Sequence, residues 1–220
     1  MNGPNNKIGW TDYTWNPVKG LCPVGCPYCY ARRIYDRFHY DPTIRLDEKE
    51  LQAPYKIKKP AKIFVGSTIE LFGEWTDDWM ERILKVCSEN PQHRFQFLTK
   101  LPGGLTSFDF PDNCWLGITI TFQGDSVKAL WLKHLKTPVR FVSIEPLLGE
   151  PTFLDGIYDS LDWIIIGAET GNRKGKVTPK EIWIKNILAH ARDHQIPVFM
   201  KHNLRPHWQG ELRQEFPEDK

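Results

Sequence analysis

Short apolar runs recur along this chain too far apart to pair as hairpins, and that recurrence limits the fold more than any other feature. The runs cover residues 8–15, 61–66, 94–99, 115–121, 139–145, 162–167 and 196–200. Several of them, Asp162-Trp163-Ile164-Ile165-Ile166-Gly167 above all, are continuously apolar, as strands buried on both faces are. Helical spacing fills some of the gaps, with Trp79, Met80, Ile83, Leu84 and Cys87 on one face, then Val127, Leu130, Trp131 and Leu135, then Ile184, Ile187, Leu188 and Ala191. Thr178 and Glu181 read as a capping box with Pro179 at the first helical position. The crossovers 101–114 and 146–161 carry Pro and Gly without a helical stripe and are expected to be irregular, yet they are long enough to join parallel strands. The expected fold is α/β: a parallel-stranded partial or closed (β/α) barrel of six to seven strands. It forms a single domain over residues 1–202, followed by a polar tail over 203–220.

Polar residues close almost every run. Ser67 and Thr68, Thr99 and Lys100, Thr119 and Thr121, Ser143 and Glu145, Glu169, and Lys201 with His202 all fall at C-terminal strand ends, where parallel α/β enzymes gather their sites. Glu145 and Glu169 end consecutive strands and are candidate catalytic carboxylates, able to share a proton, bind a cation or act as acid and base. The competing reading has each one capping a turn or pairing with Arg or Lys. Lys100 is a candidate partner for a substrate phosphate or carboxylate, against the ordinary outcome of a solvated lysine.

With 220 residues the chain is long enough for a sizeable core, and a net charge of +2 excludes phosphate binding over the whole surface while leaving room for a local basic patch. Nine Trp, seven Tyr and twelve Phe are many for this length; most belong to the core, and the rest can line a pocket or stack on flat ligands. No run approaches the roughly eighteen apolar residues of a membrane span, so no membrane partner is expected and the localisation is read as cytoplasmic.

Three of the five cysteines lie in residues 20–32, Cys22, Cys26 and Cys29, separated by three and two residues. They cannot all pair as disulfides, and the two-residue gap is one that metal loops use. Gly20 and Gly25 let the backbone bend, Pro23 and Pro27 stiffen it, and Cys29 opens a helix whose positive end favours thiolate. A closed zinc site needs a fourth ligand, for which His39 is the nearest candidate, whereas three thiolates on a 4Fe-4S cluster leave one iron open. Cys87 and Cys114 read as core residues.

The loop Cys22-x3-Cys26-x2-Cys29, with Tyr28 directly before the last cysteine, resembles the signature of the radical S-adenosylmethionine (SAM) superfamily, whose core is a parallel α/β barrel or part of one. Residues 25–32, Gly-Cys-Pro-Tyr-Cys-Tyr-Ala-Arg, are also similar to the loop of spore photoproduct lyase-like members. Over most of its length the chain resembles an uncharacterised phage and bacterial family with a three-cysteine motif. The resemblance rests on Trp10-Thr11-Asp12, Trp15-Asn16-Pro17, Phe97-Leu98-Thr99-Lys100, Ser143-Ile144-Glu145-Pro146-Leu147-Leu148-Gly149 and Gly167-Ala168-Glu169-Thr170-Gly171.

The superfamily resemblance implies two cofactors. Cys22, Cys26 and Cys29 would hold a 4Fe-4S cluster, and SAM would chelate the open iron and yield, on reduction, a 5'-deoxyadenosyl radical that abstracts hydrogen from a substrate. Tyr28 would lie near the adenine; Thr119 and Thr121 are candidate ribose partners by their position at a strand end alone. The superfamily's Gly-Gly-Glu signature is replaced by Gly66-Ser67-Thr68, with Glu70 two residues on, so the carbonyls of Ser67 and Thr68 would take the methionine amino group. The implied partners are a low-potential electron donor of flavodoxin or ferredoxin type and an unidentified substrate. A nucleoside, nucleic acid or modified base comes ahead of a peptide, and a partner subunit would close the mouth for a large substrate. Arg32, Arg33 and Arg37 after the loop are a candidate nucleic-acid footprint, against the plain reading of a solvated face. The alternatives are a non-enzymatic module stapled by zinc or a cluster that binds nucleic acid or a protein, and a barrel hydrolase using Glu145 and Glu169.

Overall fold

The computed structural model describes residues 1–3, 6–153 and 156–217, less the side chains of residues 76 and 77. Seven parallel strands form one sheet: β1 (Tyr13–Trp15), β4 (Lys62–Val65), β5 (Arg94–Thr99), β6 (Cys114–Thr119), β7 (Arg140–Ile144), β8 (Trp163–Ile166) and β9 (Val198–Met200), hydrogen-bonded in that order. Each main-sheet strand lies beside its successor, which is the order of a (β/α) barrel left open between first and last strands, as the α/β reading expects. A separate two-stranded antiparallel ribbon, β2 (Val18–Lys19) with β3 (Arg45–Leu46), interrupts the series. The helices are α1 (Tyr30–Phe38), α2 (Glu48–Leu51), α3 (Asp77–Ser88) and α4 (Glu181–Asp193).

The chain divides into two compact units, Met1–Trp115 and Leu116–Lys220. In the first, β1, β4 and β5 pair in register Trp15, Val65, Phe97. Because facing residues of parallel strands share a sheet face, Trp15, Ile63, Phe95, Val65 and Phe97 line one side; all five are buried, as are Met80 and Ile83 of α3. In the second, every residue of β8 is buried, and Trp163 packs against Phe141, Phe199 and Phe216 at centroid separations of 5.7, 6.3 and 5.5 Å.

Several expectations change on folding. Residues 123–134, read as an amphipathic α-helix, are a 3₁₀-helix, whose three-residue turn buries Ser126, Ala129 and Leu132 and leaves Val127 and Trp131 exposed. The capping box before α4 does not form: the helix starts at Glu181, Lys180 occupies the cap position and no side chain caps it. The polar tail packs along the edge strand β9 over residues 213–217. Met200 donates its amide to the Arg213 carbonyl (2.7 Å), Glu215 returns one to Val198 (3.0 Å), and Phe216 closes the aromatic cluster. The tail's last three residues lie outside those described. No described helix is long and apolar enough to cross a membrane.

Candidate functional site

The cysteine loop leaves β2 at Gly20 and ends in α1. Gly20 holds φ +117 and is packed so closely that a Cβ would sit 2.6 Å from the Ile44 Cα, so only glycine lets the loop leave the β2–β3 ribbon there. Three ties then fold it. Cys29 is the N-cap of α1, its sulfur accepting the Arg32 amide at 3.5 Å; the Arg32 guanidinium reaches back to the Cys22 carbonyl at 2.6 Å; and the Glu70 amide points at the Cys22 sulfur at 3.4 Å. All three cysteines are free and half-buried. Burial pushes the Cys22 thiol above its ordinary value, while the Glu70 and Val24 amides pull it back down.

The loop's chemistry suits thiolate ligation. Peptide N–H groups aimed at sulfur stabilise the anion and are a standard means of tuning a thiolate-bound centre. Among the described residues no three His, Cys, Asp or Glu side chains close on a single-ion site, so the three sulfurs are not drawn to one point. His39, the nearest candidate for a fourth ligand, ends α1 as its exposed left-handed C-cap.

Beside the loop, the expected SAM-facing segment is tightly ordered. Asn16, just past the end of β1, accepts from the Ser67 hydroxyl (3.1 Å), the Thr68 amide (3.2 Å) and the Thr68 hydroxyl (3.3 Å), fixing the turn that follows Gly66. The Ser67 carbonyl takes the Tyr30 hydroxyl at 3.2 Å and keeps one lone pair. Tyr28 is half-buried in the loop.

Glu70 is more central than its place in the sequence suggests. Its buried carboxylate accepts from the Leu71 and Phe72 amides (3.1 and 3.2 Å), the Thr99 hydroxyl (2.7 Å) and the Lys100 amide (2.8 Å), so one side chain joins the ends of β4 and β5 while its own amide serves Cys22. The sequence signal for it is a carboxylate set inside the apolar run 69–72, a position that folding tolerates only with partners. Lys100 is thereby anchored through its backbone, and its half-buried side chain is held at the C-terminal end of β5.

In the second unit the two candidate carboxylates separate into different roles. Glu145, after β7, forms an ion pair with Lys201, after β9, across Gly167, whose missing side chain makes the space: a Cβ there would lie 3.0 Å from both the Glu145 Cδ and the Lys201 Cδ. Glu169 is instead gripped by Arg173 through two bonds of 2.7 and 2.8 Å and by the Val177 amide at 3.4 Å. The Arg173 guanidinium holds its carboxyl below the usual carboxylate range. Each acid thus has its own cation.

Thr119 and Ser143, register partners on β6 and β7, are both buried, and neither hydroxyl has a hydrogen-bond partner among the described residues. Side-chain alternation puts them on the same sheet face as Glu145, one strand position pair below it. Two unsatisfied hydroxyls under an ion pair are costly unless something polar meets them. Thr121 is not available in that way: its hydroxyl and amide both go to Asp125, at 2.5 and 3.1 Å.

No curated protein and no solved structure matches the chain. Residues 5–214 match the family described as "Protein of unknown function (DUF5131)", and the chain belongs to that family.

Proposed function

We propose that the chain is a radical SAM enzyme acting on a nucleoside, nucleic acid or modified base in a reducing, cytoplasmic setting, with electrons from a flavodoxin- or ferredoxin-type donor. One observation carries the reading: a loop of three free cysteines in which two sulfurs already receive peptide N–H groups. Cys22, Cys26 and Cys29 would hold a 4Fe-4S cluster. Bound together, the cluster and SAM supply reductive cleavage of the sulfonium and hydrogen abstraction from the substrate.

The chain's own part is position. The Glu70 amide and the Arg32 guanidinium set Cys22, the α1 N-terminus sets Cys29, and Asn16 fixes the Ser67 and Thr68 turn whose carbonyls would receive the methionine amino group. Holding these groups before the ligand arrives shifts the ordering cost to folding rather than binding.

Anaerobic reconstitution tests the proposal. Wild-type protein should take up about four irons per chain, and the Cys26→Ala variant should lose them. Reduction with SAM should release 5'-deoxyadenosine and methionine. Colourless protein carrying stoichiometric zinc would instead favour the stapled binding module, and a loaded cluster that releases no 5'-deoxyadenosine under any reductant would refute the enzyme.

A further inference from the structure

Helix α1 is built with an apolar row on its solvent side. Its inward face is accounted for: Ala31 is buried, the Tyr35 hydroxyl accepts the Gly20 amide at 3.0 Å, and Arg32 binds the Cys22 carbonyl. Tyr30, Ile34 and Phe38 follow at four-residue steps on the adjoining face and are 46, 40 and 54% exposed. Arg33 and Arg37, one turn apart, flank that row. An apolar stripe of this kind on the solvent face is a mark of contact with something else.

The stripe continues past the helix. His39 takes a left-handed conformation at φ 50, and the Tyr40 amide bonds back to the Tyr35 carbonyl at 3.2 Å, so the chain turns and lays Tyr40 beside Phe38. Their rings stack at 5.7 Å with 22° between planes, Tyr40 also 54% exposed, and the Arg37 guanidinium lies 5.3 Å from the Phe38 centroid. A cation and two nearly parallel, exposed rings thus lie side by side at the end of the helix. A cavity of about 380 Å³ opens alongside, walled by Ile34, Tyr35 and Tyr40 and by two cations, Lys19 and Arg45, set against two carboxylates, Asp41 and Asp47; its volume is within the range of small-ligand pockets.

We infer that this face of α1, with Tyr40 and the adjoining cavity, is a docking site for single-stranded nucleic acid, with bases stacking on Phe38 and Tyr40, phosphates meeting Arg37, and one nucleotide entering the cavity. The helix face points to the occupant: α1 carries three arginines against one aspartate, while the cavity is balanced, Arg45 being paired with Asp41, and exposed rings beside guanidinium groups recognise bases and phosphates together. A duplex keeps its bases stacked inside and offers no faces to these rings. The inference rests on the proposed function for the chemistry done to the strand, and on α1 and its cavity alone for the binding.

Fluorescence anisotropy with labelled oligothymidylate and oligouridylate of about twelve nucleotides reads the binding directly. Wild-type protein should bind both more tightly than a duplex of equal length. The Phe38→Ala/Tyr40→Ala variant should bind about tenfold or more weakly, the loss of stacking on a single ring corresponding to roughly five- to 150-fold. Phe38→Trp should retain affinity because it keeps the stacking face. Arg37→Ala should lower the slope of log affinity against log salt by about 0.7, the share of one phosphate on a single strand.

Equal affinity of wild type and the double-alanine variant would overturn the inference. So would preference for duplex, or a face that captures anionic phosphatidylserine vesicles or a second copy of the chain while ignoring oligonucleotides. Binding is read without reductant or SAM. Protein that binds strands but releases no 5'-deoxyadenosine therefore removes the radical reading alone, and the reverse pattern removes this one alone.

Discussion

Glu70→Ala is expected to destabilise the first unit by about 3–5 kcal/mol, and the figure follows from the bonds its carboxylate makes. Oε1 accepts from Leu71, Phe72 and Thr99, and Oε2 from Lys100, at 2.7 to 3.2 Å. A hydrogen bond to a charged group contributes roughly 1.5–3 kcal/mol, but the total falls well short of four such bonds, because burying the carboxylate costs several kcal/mol and water can reach the half-buried Lys100 amide once the side chain is gone. Alanine strands the Leu71 and Phe72 amides where little water penetrates. Glu70→Gln is the sharper probe: it keeps the acceptor on the Oε1 side but turns an NH₂ toward the Lys100 amide, donor against donor, for about 1–3 kcal/mol. Urea unfolding followed by tryptophan fluorescence gives the free energies, and amide exchange at Leu71, Phe72 and Lys100 locates the loss. An alanine cost below about 1 kcal/mol, or a glutamine as damaging as alanine, would refute the reasoning.

Two further outcomes follow from the second unit. Gly167→Ala should push Glu145 and Lys201 apart, since its Cβ would lie 3.0 Å from both side chains, at about 1–3 kcal/mol; a neutral or higher melting temperature would show that the glycine is not the spacer. For Glu169, whose folded carboxyl is held low by Arg173, the stabilisation is present above the unfolded carboxylate value of about 4.3 and fades as pH falls through the lower folded value. The stability gap between wild type and Glu169→Gln should therefore narrow in acid, measured by unfolding between about pH 7 and pH 3, and a gap that does not change with pH would contradict the Arg173 pairing.

What could be read from the sequence divides along physical lines. Residues 94–99 form β5 as expected, and 162–167 lose only their end residues to become β8, because a continuous apolar run has one low-energy place, inside a covered sheet. The β2–β3 ribbon is two residues a side, too short to carry any period. Residues 123–134 misled because Val127 and Trp131 share a face only at 3.6 residues per turn, and the chain takes three. At the candidate site, sequence located Glu145 and Glu169 but not their partners equally. Arg173 is four residues from Glu169 and visible at turn spacing, whereas Lys201 is 56 residues from Glu145 and is brought there only by the register of β7, β8 and β9. Glu70 lay in plain view, yet its importance depends on Thr99 and Lys100, which a neighbouring strand delivers.

The cysteine loop holds its course with almost no core of its own: between Gly20 and Cys29 no residue beyond Gly20 is buried. Its order comes from outside. Leu21 donates to the Pro42 carbonyl at 2.9 Å, which ties the loop to the chain entering β3, while Glu70 ties it to the end of β4 and Arg32 to α1. Each anchor reaches a different element, so the loop's conformation reports on the folding of β3, β4 and α1 together. A ligand gripping all three sulfurs would close the same loop from within, and by binding only the folded arrangement it would add its binding free energy to the stability of those elements. The surrounding anchors and the thiols are thus two halves of one linkage, and the half that lies outside the motif is the part the motif alone does not reveal.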